Sequence, residues 1–178
     1  MTLRRGILLL QLFGLYLHCA RQTPPNRMSI AELGFTMTLP AKWQQGKPLL
    51  SSGNRYAVQA NGRYCFASVK ESYPFGAVRE FSLEGFSSLE EYVRSPGNLF
   101  GAAVSERPIS VSGRSGLEIV GKGLGEKQVP VKGIYWYIQD QDRLIVISFV
   151  CPERDFGRYE PMFREALATA RLASGGTY

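Results

Sequence analysis

The segment Leu144-Ile145-Val146-Ile147-Ser148-Phe149-Val150 is apolar at every position but one. A strand with one wet face alternates apolar and polar residues, so this run predicts a central strand, about Arg143 to Cys151, covered on both faces. Ile134-Tyr135-Trp136-Tyr137-Ile138 has the same character inside a strand from Val129 to Gln139, and Asp140-Gln141-Asp142 makes the tight connection between the two. Upstream, Arg107 to Val111 runs through Gly113 into Ser115 to Lys122 as two more strands. Near the start, Phe35, Met37 and Leu39 alternate with Thr36 and Thr38, which predicts a strand from Gly34 to Leu39 closed by Pro40. Tyr56, Val58 and Ala60 alternate again, Asn61-Gly62 suits a type I′ turn, and Arg63 to Glu71 returns, so a β-hairpin is expected there.

Ser72 to Phe86 mixes Pro74, Gly76 and Gly85 with Phe75, Phe81 and Phe86, the pattern of an irregular loop pinned by aromatics. Ser87 and Glu90 form a capping box ahead of Leu89, Tyr92 and Val93, which share one face of a short helix stopped by Ser95-Pro96-Gly97. A second helix is predicted from Glu160 to Leu172. Pro161 stands in its first turn, and Tyr159, Met162, Phe163, Ala166, Leu167 and Ala170 face the sheet. Strands apolar on both sides need cover on both sides. The pattern therefore predicts one α+β domain over residues 33–173, an antiparallel sheet of about six strands with helices on both faces, and a tail at 174–178.

Residues 1–19 read differently. Arg4-Arg5 precede an apolar stretch from Ile7 to Leu17, the order of an export signal, and that stretch is too short for a transmembrane helix, which needs about 20 apolar residues. Cys19 ends it, followed by a polar, Pro-containing tether over residues 20–32. The cysteine is the candidate lipidation site of a lipoprotein leader, although Tyr16-Leu17-His18 replaces the small residues that normally precede such a cysteine. A plainly secreted form or an uncleaved anchor are the alternatives.

The chain of 178 residues has a net charge of +6, which falls to +4 once the leader and its two arginines are gone. The remaining arginines are scattered, so no nucleic-acid-binding arm is expected. His18 is the single histidine. A domain without it lacks the usual general base and the commonest metal ligand, and neither an enzyme, a metal site nor a cofactor is expected. Gly121-Lys122-Gly123-Leu124-Gly125 has no helix after it to hold a phosphate and reads as a flexible hairpin. Asp140 and Asp142 supply too few ligands for a metal and read as solvated turn residues. Cys65 and Cys151 are either a disulfide closing a long loop or two separate buried thiols. Trp43, Phe75, Phe81 and Phe86 are the candidate binding surface; they either line a groove for a partner, peptide or lipid, or form a satellite core beneath a loop.

Several of these segments together carry a resemblance: Gly34-Phe35-Thr36-Met37-Thr38-Leu39-Pro40-Ala41-Lys42-Trp43, the capped helix at Ser87 to Arg94, Ser112-Gly113-Arg114-Ser115-Gly116-Leu117-Glu118, the Tyr-Trp-Tyr strand, Cys151-Pro152 and Tyr159-Glu160-Pro161-Met162-Phe163. Over residues 33–172 the chain resembles the Mog1/PsbP-like superfamily, including DcrB-like bacterial envelope proteins and PsbP-like lipoproteins. The resemblance implies an α/β/α sandwich without a shared catalytic constellation. It also implies an exported, periplasmic or cell-surface protein that binds or assembles another envelope protein through its loops, held to the membrane if Cys19 is modified. The alternative is a carrier of a small apolar ligand or peptide.

Overall fold

The computed structural model describes residues 26–40, 43–45, 60–68, 74–95, 101–125 and 128–173. The strands in chain order are β1 (Arg27–Ile30), β2 (Phe35–Thr38), β3 (Trp43–Gln45), β4 (Ala60–Ser68), β5 (Phe75–Ser82), β6 (Ala102–Val111), β7 (Arg114–Leu124), β8 (Pro130–Asp140), β9 (Arg143–Pro152) and β10 (Arg171–Leu172). Helix α1 (Leu89–Arg94) follows β5 and helix α2 (Phe156–Ala168) follows β9. The large sheet has seven strands in the order β3-β4-β5-β9-β8-β7-β6 and the small one three in the order β1-β2-β10, every pairing antiparallel. The chain is thus an α+β fold of two antiparallel sheets with few helices.

Strand β9 is buried from Leu144 to Cys151. Its odd positions Ile145, Ile147, Phe149 and Cys151 join a core with Met28, Phe35, Met37, Trp43, Phe163 and Leu167, so the small sheet and α2 together cover that face. Its even positions Leu144, Val146 and Val150 join Phe81, Leu117, Ile119, Tyr135 and Tyr137 on the other face, where α1 inserts Leu89 and Val93. Helices alone therefore do not enclose the sheet as expected, because three short strands replace helical cover on one side. Between β8 and β9 the sheet closes tightly at Gly133, where a Cβ would stand 2.6 Å from the Phe149 carbonyl oxygen, so only glycine fits.

Five local expectations change. Residues 27–30, assigned to the tether, form β1, because Met28 and Ile30 point into the core while Arg27 and Ser29 stay exposed. Asn61-Gly62 lies inside β4 at a register irregularity rather than in a hairpin turn; residues 56–59 fall outside the described residues. Phe75–Ser82 is a strand pairing β4 and β9 instead of a loop. Helix α2 begins at Phe156 and ends at Ala168, so Pro161 is interior, and Leu172 belongs to β10. The capping box also shifts by one residue. Ser88 accepts from the Glu91 N–H at 3.1 Å while the Glu91 carboxylate accepts from the Ser87 N–H at 2.7 Å.

One buried carboxylate joins α2 to the sheet. Glu118 on β7, 3% exposed, accepts from Trp136 Nε1 at 2.7 Å, from Arg107 Nε and Nη2 at 2.8 and 2.9 Å, and from Arg164 Nη1 of α2 at 2.9 Å. Arg164 also donates to Glu160 at 2.7 Å within the helix. Burial by itself would raise the Glu118 pKa, but the bonds from Arg107, Arg164 and Trp136 outweigh it and hold the carboxyl at about 2.

A second set of contacts fixes the small sheet. The Ala173 N–H donates to the Gly34 carbonyl at 2.8 Å, the Ala173 carbonyl accepts from Arg114 Nη2 at 2.7 Å, and Ser112 Oγ accepts from the Leu172 N–H at 3.0 Å. Ser112 has φ of 52° and Gly113 of 81°, the left-handed pair that a two-residue type I′ turn demands. One edge strand of the large sheet is β6, exposed along nearly its whole length, with Pro108 in the strand and an irregularity between Ala103 and Ser105.

The register also decides the cysteines. Cys65 stands opposite Ala77, and Ala77 opposite Ser148, so Cys65 and Cys151 lie two strands and three residues apart. At standard strand spacings that is roughly 14 Å between Cα atoms, twice the reach of a disulfide. Cys151 is a free buried thiol, its pKa pushed up to about 12 by burial and by the nearby Asp155 carboxylate.

Two outcomes follow. Intact mass will be the same before and after reduction, and Cys151 will react with thiol reagents only in denaturant; a mass gain on reduction would contradict the register. Glu118→Gln leaves Arg107 and Arg164 facing a neutral amide and should lower stability by about 2 kcal/mol in urea titration at pH 7. The folded-state pKa of Glu118 lies below the ordinary value of 4.5, so its contribution is complete above that value and is lost as pH falls toward about 2. The variant should lack that part of the acid-induced loss while keeping the share that comes from Asp140.

Candidate functional site

Alternate strands bring one set of connections to one end of the large sheet. The close of β5, the β6–β7 turn, the β8–β9 turn and Ala173 lie at what is here the Asp142 end; the β7–β8 hairpin and the start of α2 lie at the opposite, Leu124 end. At the Asp142 end the Ser82–Ser88 connection and the Gln139–Asp142 turn enclose an open cleft of about 430 Å³. The Leu83 N–H donates to the Asp142 carbonyl at 2.9 Å, tying its two walls together. Ser82 Oγ accepts from the Glu84 N–H at 3.0 Å, and Gln139 Nε2 donates to the Gln141 carbonyl at 3.4 Å. Gln141 holds a φ of 61°, a left-handed backbone unusual for its type.

The lining is polar, with serine hydroxyls, two carboxamides and the carboxylates of Glu84 and Asp142, and Phe86 supplies an aromatic wall. The Phe86 ring packs edge-on to Tyr92 at 5.0 Å, and Tyr92 in turn lies 5.9 Å from Phe81. Burial raises the Tyr92 pKa, partly offset by the Arg79 charge. Behind the turn, Asp140 bonds Arg114 and Arg143 at 2.5 Å each, and Arg143 reaches Glu80 at 3.4 Å. Burial would raise the Asp140 pKa, but the bonds from Arg114 and Arg143 bring it below its ordinary value. Asp140 is therefore a buried structural anion rather than a solvated turn residue; Asp142 remains exposed.

The four candidate aromatics do not share a groove. Trp43, 3% exposed, belongs to the core beneath α2, 5.8 Å from Phe149 and 6.2 Å from Phe163. Phe75 and Phe81 pack on the other face at opposite ends of β5, and only Phe86 lines the cleft. The sequence pattern singled out neither Glu84 nor Gln139, and it placed Tyr92 only as a helix-face residue beside Leu89 and Val93. Tyr92 carries a readable signal, since it follows Ser88 by one helical turn and must face back over the preceding loop. Cys19 lies outside the described residues, as does the side chain of Cys65.

Ser87 and Ser88 serve the α1 cap, and Cys151 is buried and protonated. Among the described residues no three of His, Cys, Asp and Glu are placed to hold a metal ion. Gly121–Leu124 completes β7, and the Gly125 N–H donates to the Val129 carbonyl at 2.8 Å, so the glycine-rich segment closes a hairpin. No described helix is long and apolar enough to cross a membrane.

No protein-family model and no curated protein matches this sequence. The solved structures do. The chain aligns with the solution structure of cyanobacterial PsbP (CyanoP) from Synechocystis sp. PCC 6803 at a TM-score of 0.58 and 12% identity, over 82% of this chain and 91% of that one. A crystal structure from Bacteroides thetaiotaomicron VPI-5482 aligns at 0.51 and 14% identity, over 81% of this chain but 47% of the other, so this chain spans about half of it. The antiparallel seven-stranded sheet with its closing helix accordingly has a PsbP-like fold.

Proposed function

We propose that the protein is an exported, non-enzymatic envelope protein of PsbP-like or DcrB-like type that binds or assembles another envelope protein through the loops at its Asp142 end. The observation carrying this reading is the cleft itself: it is open, built from two hydrogen-bonded connections, and lined by groups that recognise rather than react. Its polar lining suits a protein surface better than an apolar small molecule. The leader and Cys19 support export and attachment, with the domain held outside the cytoplasm by a short tether.

Affinity capture from the native envelope tests it. The full-length protein should retain one envelope protein in constant ratio, and Glu84→Lys with Phe86→Ala should reduce that capture by about tenfold, a change of roughly 1.4 kcal/mol, without changing the melting temperature. Cys19→Ala should release the protein from the membrane fraction if the cysteine is its anchor. Capture unaffected by the cleft substitutions, or substrate turnover by the purified protein, would refute the reading.

A further inference from the structure

The Leu124 end carries an exposed feature that the cleft does not explain. Leu124 closes β7 with 66% of its surface exposed, and Val104 on the adjoining edge strand is 50% exposed; they are the large apolar residues most open to water among those described. Lys122 and Lys132 face each other across β7 and β8 two residues behind the tip, and Arg154 and Arg158 follow at the start of α2. Among the described residues there, Glu153, paired with Lys122, and Asp155, 3.6 Å from Arg154, are the carboxylates beside them, so four cations face two anions. Lys132 is held over the Phe156 ring at 4.3 Å, which keeps its charge at this end.

The N-terminal segment arrives on the same side. The Asn26 carbonyl accepts from the Leu39 N–H at 2.7 Å, and Asn26 Nδ2 donates to the Pro40 carbonyl at 3.5 Å. A few residues further, Trp43 pairs with Ser68, level with the opening of β5. Strand β1 then runs toward Gly34 and Ala173 at the Asp142 end. From Cys19 to Asn26 the chain can extend at most about 25 Å. A bilayer holding the leader therefore lies nearest the Leu124 end.

From these placements we infer that the Leu124 end docks on an anionic lipid bilayer, with Leu124 entering the headgroup region and Lys122 and Lys132 meeting the lipid charges. This rests on the reading that residues 1–25 keep the chain at a membrane. Docking so oriented turns the cleft, at the far end of the strands, away from the lipid. A leucine at a hairpin tip flanked by lysines combines the apolar and electrostatic parts of interfacial binding.

The test uses the full-length protein with Leu124→Trp and, separately, Ser115→Trp, nine residues back along β7 and about 30 Å away. Val104→Trp is a second probe of the docking end. Each is mixed with phosphatidylcholine vesicles containing about a third phosphatidylglycerol and a brominated phosphatidylcholine, and the parent emission is subtracted. Tryptophan at 124 or 104 should lose roughly half its emission to the bromines and tryptophan at 115 less than about a tenth. Replacing Lys122 and Lys132 by Gln in the Leu124→Trp chain should restore most of the emission. Equal quenching at 124 and 115, or pelleting with the vesicles without quenching at 124 and 104, overturns the docking alone. Failure to pellet overturns both the docking and the membrane-held leader.

Discussion

Strand β9 tolerates water on neither face, and most of the architecture answers that constraint. Its odd and even side chains enter two separate cores, so the sheet must be closed from both sides at once. On one side the cover is composite: β1 and β2 supply Met28, Phe35 and Met37, and α2 supplies Phe163 and Leu167. A composite lid needs fasteners, because two elements from opposite ends of the sequence must stay in register over the same strands. Glu118 fastens the helix, and the contacts of Ala173 with Gly34 and Arg114 fasten the small sheet. The Glu118 carboxylate is shielded from water, where a hydrogen bond is strong and its loss is expensive.

What the sequence reveals follows from how local the physical cause is. The apolar runs of β8 and β9 are unmistakable, because burial on both faces is written into consecutive residues. The α1 helix is readable to within one residue for the same reason, its serine and glutamate signals being adjacent. Strand β5 is hidden. Pro74 and Gly76 look like breakers and Arg79-Glu80 like a solvated bend, yet β4 and β9 on either side satisfy its backbone. The small sheet is hidden for a different reason: β1 and β10 are four and two residues long, and each exists only because β2 lies between them. The site was legible only at Phe86. Loop aromatics carry no face parity in sequence, so Trp43, which the fold sends into the opposite core, looked equivalent to it.

The placement of charge separates structural from surface roles. Glu118 and Asp140 are each bonded by two arginines and are occupied in holding elements together. Glu84 and Asp142 border open space at one end of the strands, while Lys132 and Arg158 rest on aromatic rings at the other. Net charge alone conceals this arrangement, since a mild excess of arginine describes both a uniform surface and a polarised one.

The exposed strand β6 has a consequence for how the protein associates. Strand addition is the commonest way for a sheet to recruit an extended peptide, and it requires a run of free N–H and carbonyl groups in register. Pro108 removes a donor from the middle of β6, the irregularity near Val104 breaks the spacing, and the opposite edge, β3, is three residues long. Among the described residues, backbone pairing is thus discouraged at both margins of the large sheet. Strand-to-strand joining of copies through β6 is disfavoured by the same two features.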